Sequence, residues 1–270
     1  METIEIIGYL STLLIGVSLG LIGSGGSILT IPVLVYLFAI NPTSATSYSL
    51  LLVGSTALVG ALQKLKKGEV ELKTALLFGA PAVAAVFLTR KLLIPIIPFQ
   101  FEFLSLNLKR DQLLLGLFAV LMLLAALSML RKKSPAVQNE SPQPQTISPM
   151  IVLLEGFITG IITGLVGAGG GFLIIPALVV FGKLPMKTAV GTSLLIIAAK
   201  SLIGFLGDIG NPDITIDYLF ITILILIASV GLYLGIYLSK FIDGKRLAKG
   251  FGYFVLLMGA FVISKEIIGF

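Results

Sequence analysis

The hydrophobic positions of this chain form long runs broken by short polar punctuation, without the period-two alternation of a half-buried strand. That pattern predicts helices of membrane-spanning length and argues against an outer-membrane barrel. In the first half the apolar segments run Ile4–Ile22, Gly26–Ile40, Ala45–Leu62, Thr74–Ile94 and Gln112–Leu130. In the second they run Met150–Val166, Gly170–Phe181, Thr188–Leu206, Tyr218–Leu238 and Leu247–Ile267. Between them "RKKSPAVQNESPQPQTIS" is rich in Pro, Ser and Gln and has no apolar periodicity, so it reads as a linker. The expected organisation is a first membrane repeat over 1–130, a flexible cytoplasmic linker over 131–149 and a second membrane repeat over 150–270.

The two halves repeat one another. "GLIGSGGSILTIP", Gly20 to Pro32, and "GLVGAGGGFLIIP", Gly164 to Pro176, are identical at eight of thirteen positions and lie 144 residues apart. At the same offset "ATSYSLLL" from Ala45 matches "AVGTSLLI" from Ala189, and Gly60 falls on Gly204. An internal duplication explains this. A single helix over Ile4–Ile40 would be about 55 Å long at 1.5 Å per residue, against a hydrocarbon core of roughly 30 Å. The glycines must therefore break it, giving either two short spans or a hairpin with a protein-buried tip in each half.

Five segments per half make the second half inverted relative to the first. Charge tests this. "KLKKGEVELK" (64–73) carries four lysines, whereas its mate "GDIGNPDITID" (207–217) has three aspartates and no basic residue. The inverted arrangement puts thirteen basic residues inside and five outside (Arg90, Lys91, Lys109, Arg110 and Lys265), with both termini outside. The expected fold class is thus an all-α integral membrane protein of two inverted-topology repeats. The alternating "FQFEFLSLNLK" (99–109) suggests a β-like or interfacial excursion.

Composition narrows the chemistry further. With 57% hydrophobic and 12% charged residues the chain is too apolar for an ordinary soluble domain. The net charge of +6 reads as topology-setting loop lysines, so no nucleic-acid partner is expected. There is no cysteine and no histidine, which removes disulfides, thiolate chemistry, the usual zinc sites and histidine proton relays. No metal centre, cofactor or enzymatic activity is expected. The N-terminus carries Glu2 and Glu5 instead of a basic leader region, and reads as a mature helix.

Inverted repeats with broken helices are the signature of secondary transporters, whose sites lie near the membrane midplane. A glycine tip fits that role, because the first N–H groups of the following helix lack intrahelical partners and face an approaching oxyanion. The candidate substrate-binding set is Ser24, Gly25, Gly26 and Ser27 at the first tip and Ala168, Gly169, Gly170 and Gly171 at the second. Tyr48 and Ser49 with their repeat mates Thr192 and Ser193 add hydroxyls, and Lys200, inside the apolar "GTSLLIIAAKSL", adds a positive charge. Tight helix packing by small residues is the competing reading of the glycines. For Lys200 the alternatives are snorkelling or pairing with Glu155, the carboxylate inside "VLLEGFITG" and a candidate coupling residue.

The doubled motif, each copy followed by a Pro-containing loop and an A-x-x-x-S-L helix, resembles the sulfite exporter TauE/SafE family, also called the 4-toluene sulfonate uptake permeases. The likeness extends over nearly the whole chain apart from the linker. It implies an inner-membrane transporter of sulfite, sulfoacetate or other organosulfonates, with lipid and a small sulfur-containing anion as partners. The family motif maps onto Gly23, Gly25 and Gly26 and onto Gly167, Gly169, Gly170 and Gly171, with Ser27 standing where the second copy has its third glycine. An anion channel and a transporter of another cargo, such as a metal cation, are the alternatives.

Overall fold

The computed structural model describes residues 2–23, 25–98, 100–103, 106–131, 149–180, 182, 184–239, 241 and 244–268. Most of the linker and Ser24 lie outside these residues. Among the described residues six helices are long and apolar enough to cross a membrane, spanning residues 4–22, 42–66, 72–96, 110–127, 186–208 and 218–238. The chain is a helical, multi-pass membrane protein with one short β-hairpin.

In chain order the helices of the first half are α1 (Glu2–Ile22), α2 (Gly26–Tyr36), α3 (Pro42–Lys66), α4 (Leu72–Leu88), α5 (Ile94–Ile96) and α6 (Arg110–Arg131). Those of the second are α7 (Pro149–Val166), α8 (Gly171–Val180), α9 (Met186–Asp208), α10 (Tyr218–Leu238) and α11 (Gly244–Ile268). The alternating segment before α6 forms a short antiparallel hairpin, β1 (Gln100–Phe103) against β2 (Leu106–Lys109). A π-helical turn, Thr89–Leu93, joins α4 to α5. It lies just ahead of Pro95, which cannot donate to the carbonyl one turn back, and the Ile94 amide closes instead on Thr89 O.

The glycine runs break the helices as the length argument requires. α2 turns back along α1, with Gly26 seated against Ile15 and Leu19 and Phe38 reaching Gly8. At about 1.5 Å per residue, α2 covers only about half the hydrocarbon core. α3 is started by Asn41, whose side chain accepts the Ser44 amide at 2.7 Å, with Pro42 at the first helical position.

The most extensive packings pair α1 with α10, α3 with α9, α4 with α7 and α6 with α11. Small residues set their directions. Gly16 meets Ala228 and Gly20 meets Leu232 and Gly235, so α1 and α10 run parallel. Gly156 meets Phe78, Gly160 meets Ala82 and Ala85, and Gly164 meets Thr89, so α4 and α7 also run parallel. Gly54 meets Leu202, Gly60 meets Leu194 and Gly204 meets Leu50, so α3 and α9 are antiparallel. Without side chains at these positions the backbones approach closely, the usual way helices associate in lipid.

One end of the bundle carries Lys64, Lys66 and the 67–71 loop, and the other carries the β-hairpin and the 209–217 loop. We call them the lysine end and the hairpin end. Arg90, grouped by sequence with an exposed outer loop, is instead 1% exposed and part of the helical interior. It is the second residue of the π-turn.

Candidate functional site

The two glycine tips enter from opposite ends and meet near the middle of the antiparallel α3–α9 pair. Gly23 (φ +79°) seats on Val190 near the lysine end, and Gly167 (φ +74°) seats on Thr46 near the hairpin end. These contacts are repeat mates at the 144-residue offset. Beyond Gly167 the second tip keeps positive φ at Gly169 (+63°) and Gly170 (+59°), whereas Gly25 is right-handed at φ −62°. The two extra left-handed residues delay α8 to Gly171, whose mate Ser27 already lies inside α2. The replacement of a glycine by Ser27 therefore accompanies a tighter first tip.

At the meeting point a Cβ on Gly169 would lie 3.3 Å from Ser27 Cβ and 3.6 Å from Ser201 Oγ. A Cβ on Gly170 would lie 2.8 Å from Lys200 Nζ. Ser27, Lys200 and Ser201 are each 0% exposed. Lys200 Nζ donates to Thr163 Oγ1 at 3.0 Å. Thr163 is free to accept because its own proton goes to Thr159 O, and Thr159 in turn donates to Glu155 O. Among the described residues no carboxylate pairs with Lys200, and Ser201 Oγ and Ser49 Oγ have no partner. Lys200 is thus held in the interior beside the Gly170 turn and the unpartnered Ser201 hydroxyl, with no carboxylate on it among the described residues. Buried charges without a counter-charge are costly, and a bound anion supplies one.

The site brings together Ser27, Gly169, Gly170 and Lys200 from the expected set. Ala168 and Gly171 are buried beside them on the same tip, and Gly25 and Gly26 form the turn into α2. Ser193 points its hydroxyl at Val190 O (2.8 Å) and Gly23 O (3.4 Å), fastening α9 to the first tip. Tyr48 and Thr192 lie elsewhere. Tyr48 accepts the Asp217 amide at 2.5 Å and Thr192 accepts the Glu71 amide at 2.9 Å, so these repeat mates hold equivalent loops at opposite ends. Glu155 does not pair with Lys200. It lies eight residues from Thr163 on α7, about 12 Å along the axis, and its Oε2 has no partner.

Sequence reasoning missed Thr163, Ser201 and a second buried cluster at the hairpin end. There Arg90 Nη1 donates to Thr46 Oγ1 (2.9 Å) and Asp208 Oδ2 (3.2 Å), and Ser47 donates to the same carboxylate oxygen at 2.5 Å. Arg90 and Asp208 are 1% and 3% exposed. At the lysine end the pair Lys64–Glu69, 2.6 Å, is partly exposed, and Asp208 is the repeat mate of Lys64. The Lys64 hydrogen bond holds the Glu69 carboxyl below its ordinary range. A cavity of about 220 Å³ at the hairpin end is walled by Phe205, Asp208 and Asn211, and an apolar one of about 200 Å³ lies between α4 and α7. Neither includes Lys200, whose surroundings are closed.

Comparison with known proteins agrees with this architecture. The family model described as "Sulfite exporter TauE/SafE" matches residues 9–262. A probable membrane transporter protein of Xylella fastidiosa is 32% identical over 212 residues, covering 76% of each chain. One from Bacillus subtilis is 28% identical over 82% of this chain and 85% of its own, and one from Methanocaldococcus jannaschii is 27% identical over 96% and 93%. No solved structure matches the chain.

Proposed function

The chain belongs to the sulfite exporter TauE/SafE family, a family of membrane transporters, and on that premise we propose that it carries a small sulfur-containing anion by alternating access, binding it where the two glycine tips meet. The observation that carries the reading is Lys200: wholly buried, hydrogen-bonded among the described residues only to a neutral hydroxyl, and in contact with Gly170. Sulfite, sulfoacetate and other organosulfonates share the required chemistry, a compact set of acceptor oxygens bearing negative charge. The ammonium offers charge, the tip amides offer directed donors, and Ser201 adds an unpartnered hydroxyl at the same tip. A metal cation, the alternative cargo, would meet the Lys200 charge at this place. Among the described residues no group of three or more carboxylates converges to hold one.

The inverted repeat supplies the motion. Helices related by a two-fold axis along the membrane normal run parallel, and those related by an axis in the membrane plane run antiparallel. α3 and α9 are repeat mates and are antiparallel, which favours the in-plane axis. So do the parallel pairs α1–α10 and α4–α7. Equivalent closures then exist at the two ends: the 67–71 loop on Thr192 and the 209–217 loop on Tyr48. Releasing one while the other holds exposes the central anion to one side at a time. The lysine end would face the cytoplasm of an inner membrane under the positive-inside rule. Glu155 would be the carboxylate available to a coupling proton near that end.

Thermal stabilisation of the purified protein across sulfite, sulfate, sulfoacetate, taurine and thiosulfate tests the assignment. Stabilisation by one or more of these anions is expected. Stabilisation by a divalent metal, and by none of them, overturns it.

A further inference from the structure

We propose that Arg90 is a second anion subsite, at the hairpin end of the pathway, which Asp208 occupies while that end is closed. This rests on the central site proposed above and adds the step by which an anion enters or leaves it. The Arg90 guanidinium is almost wholly buried, yet only Nη1 has partners; Nε and Nη2 have none among the described residues. A Cβ on Gly167 would lie 2.5 Å from Nη2, so the guanidinium lies against the same glycine tip whose Gly170 touches Lys200. One four-residue tip therefore contacts both buried cations, on two of its sides. Asp208 lies on the wall of the hairpin-end cavity and has an unpartnered Oδ1 of its own, and Asn211 Nδ2, also unpartnered, belongs to the same wall.

A carboxylate bound to an arginine with spare donors is an intramolecular stand-in for an oxyanion. Other charges nearby are already committed. Lys91 lies over the Phe87 ring, Asp213 pairs with Arg110, Asp111 accepts from Thr43, and the Asp217 carboxylate caps α10. An anion arriving from the cavity displaces Asp208 from Arg90, which frees α9 from Ser47 and the π-turn. It then passes along the tip to Lys200, about two helical turns deeper on α9, and Asp208 returns.

The test uses sulfite binding to the purified protein and sulfite flux in proteoliposomes. Removing the competing carboxylate by Asp208→Asn should tighten sulfite binding roughly tenfold or more and slow flux, because the anion is no longer expelled from Arg90. Asp208→Ser, too short to reach Arg90, should do the same and serves if the first variant elutes as aggregate. Arg90→Gln/Asp208→Asn removes both charges while keeping shape; it should retain wild-type binding at Lys200 with flux down at least tenfold. Unchanged affinity in both Asp208 variants, or wild-type flux in the double variant, makes the pair a structural clasp and overturns the inference. Wild-type protein that binds none of sulfite, sulfate and thiosulfate overturns the central-site reading as well, so the two failures are distinguishable.

Discussion

Replacing Lys200 by Met removes the charge while keeping most of the side-chain volume, and the structure gives opposite signs for its effects on stability and on binding. Lys200 is 0% exposed and its hydrogen bond goes to Thr163 Oγ1, at 3.0 Å. Thr163 keeps its own bond to Thr159 O without the lysine. Exchanging a buried charge that has no counter-charge for an apolar chain is neutral or stabilising, so the melting temperature of the ligand-free protein should hold or rise. A unit anion about 4 Å from the ammonium gains about 4 kcal/mol at an effective dielectric near 20. Allowing half of that for desolvation of the anion leaves about 2 kcal/mol, or roughly a 30-fold loss of affinity at about 1.4 kcal/mol per tenfold. Isothermal titration with sulfite, paired with a thermal melt of the ligand-free variant, measures both quantities. A Lys200→Met variant that melts lower and binds sulfite unchanged would refute the reasoning, since Lys200 would then be a packing residue.

Gly170→Ala should cost about 1 to 2 kcal/mol for the left-handed backbone alone, and its Cβ would also press on Thr163 Oγ1 and Lys200 Nζ; loss of both melting temperature and sulfite shift is expected, and an active, stable variant would remove the tip from the site. Glu69 carries a depressed carboxyl value because Lys64 donates to it, so its contribution is complete above the ordinary value of 4.5 and is lost as pH falls below it. Exchange of the Glu71 amide, corrected for intrinsic rate, should accelerate between pH 7 and pH values below that range in the native protein, and Lys64→Met should abolish the difference. The chain has no cysteine, so single cysteines report orientation cleanly: Thr215→Cys should react with a membrane-impermeant maleimide in intact cells and Lys66→Cys only after permeabilisation. The reverse pattern would invert the proposed topology.

The sequence made the tips legible because glycine and proline act through the backbone, and a backbone effect is local. The over-long run from Ile4 to Ile40 had to break, and Gly23 breaks it. The contacts that decide roles are distant in sequence, and there the reading diverged. Tyr48 and Thr192 were recognised as mates, and they are mates in the structure, but whether a hydroxyl faces a tip or a loop depends on its depth along α3 or α9. Counting basic residues groups Arg90 with the outer loop, although the apolar segment Thr74–Ile94 also contains it. In the structure it lies in the π-turn and pairs with Asp208, 118 residues away. A basic residue one turn before an in-helix proline was the available signal.

The glycine-packed pairs bear on how the molecule is made. α1 lies on α10 and α4 lies on α7, so each pair joins one helix from each half, and the halves clasp one another like two interlocked hooks. During synthesis the first hook enters the bilayer with Gly16 and Gly20 facing lipid, where their bare backbone has no partner to fill it. Its assembly waits on the arrival of α7 and α10, so the first half is a scaffold awaiting completion rather than a folding unit in its own right.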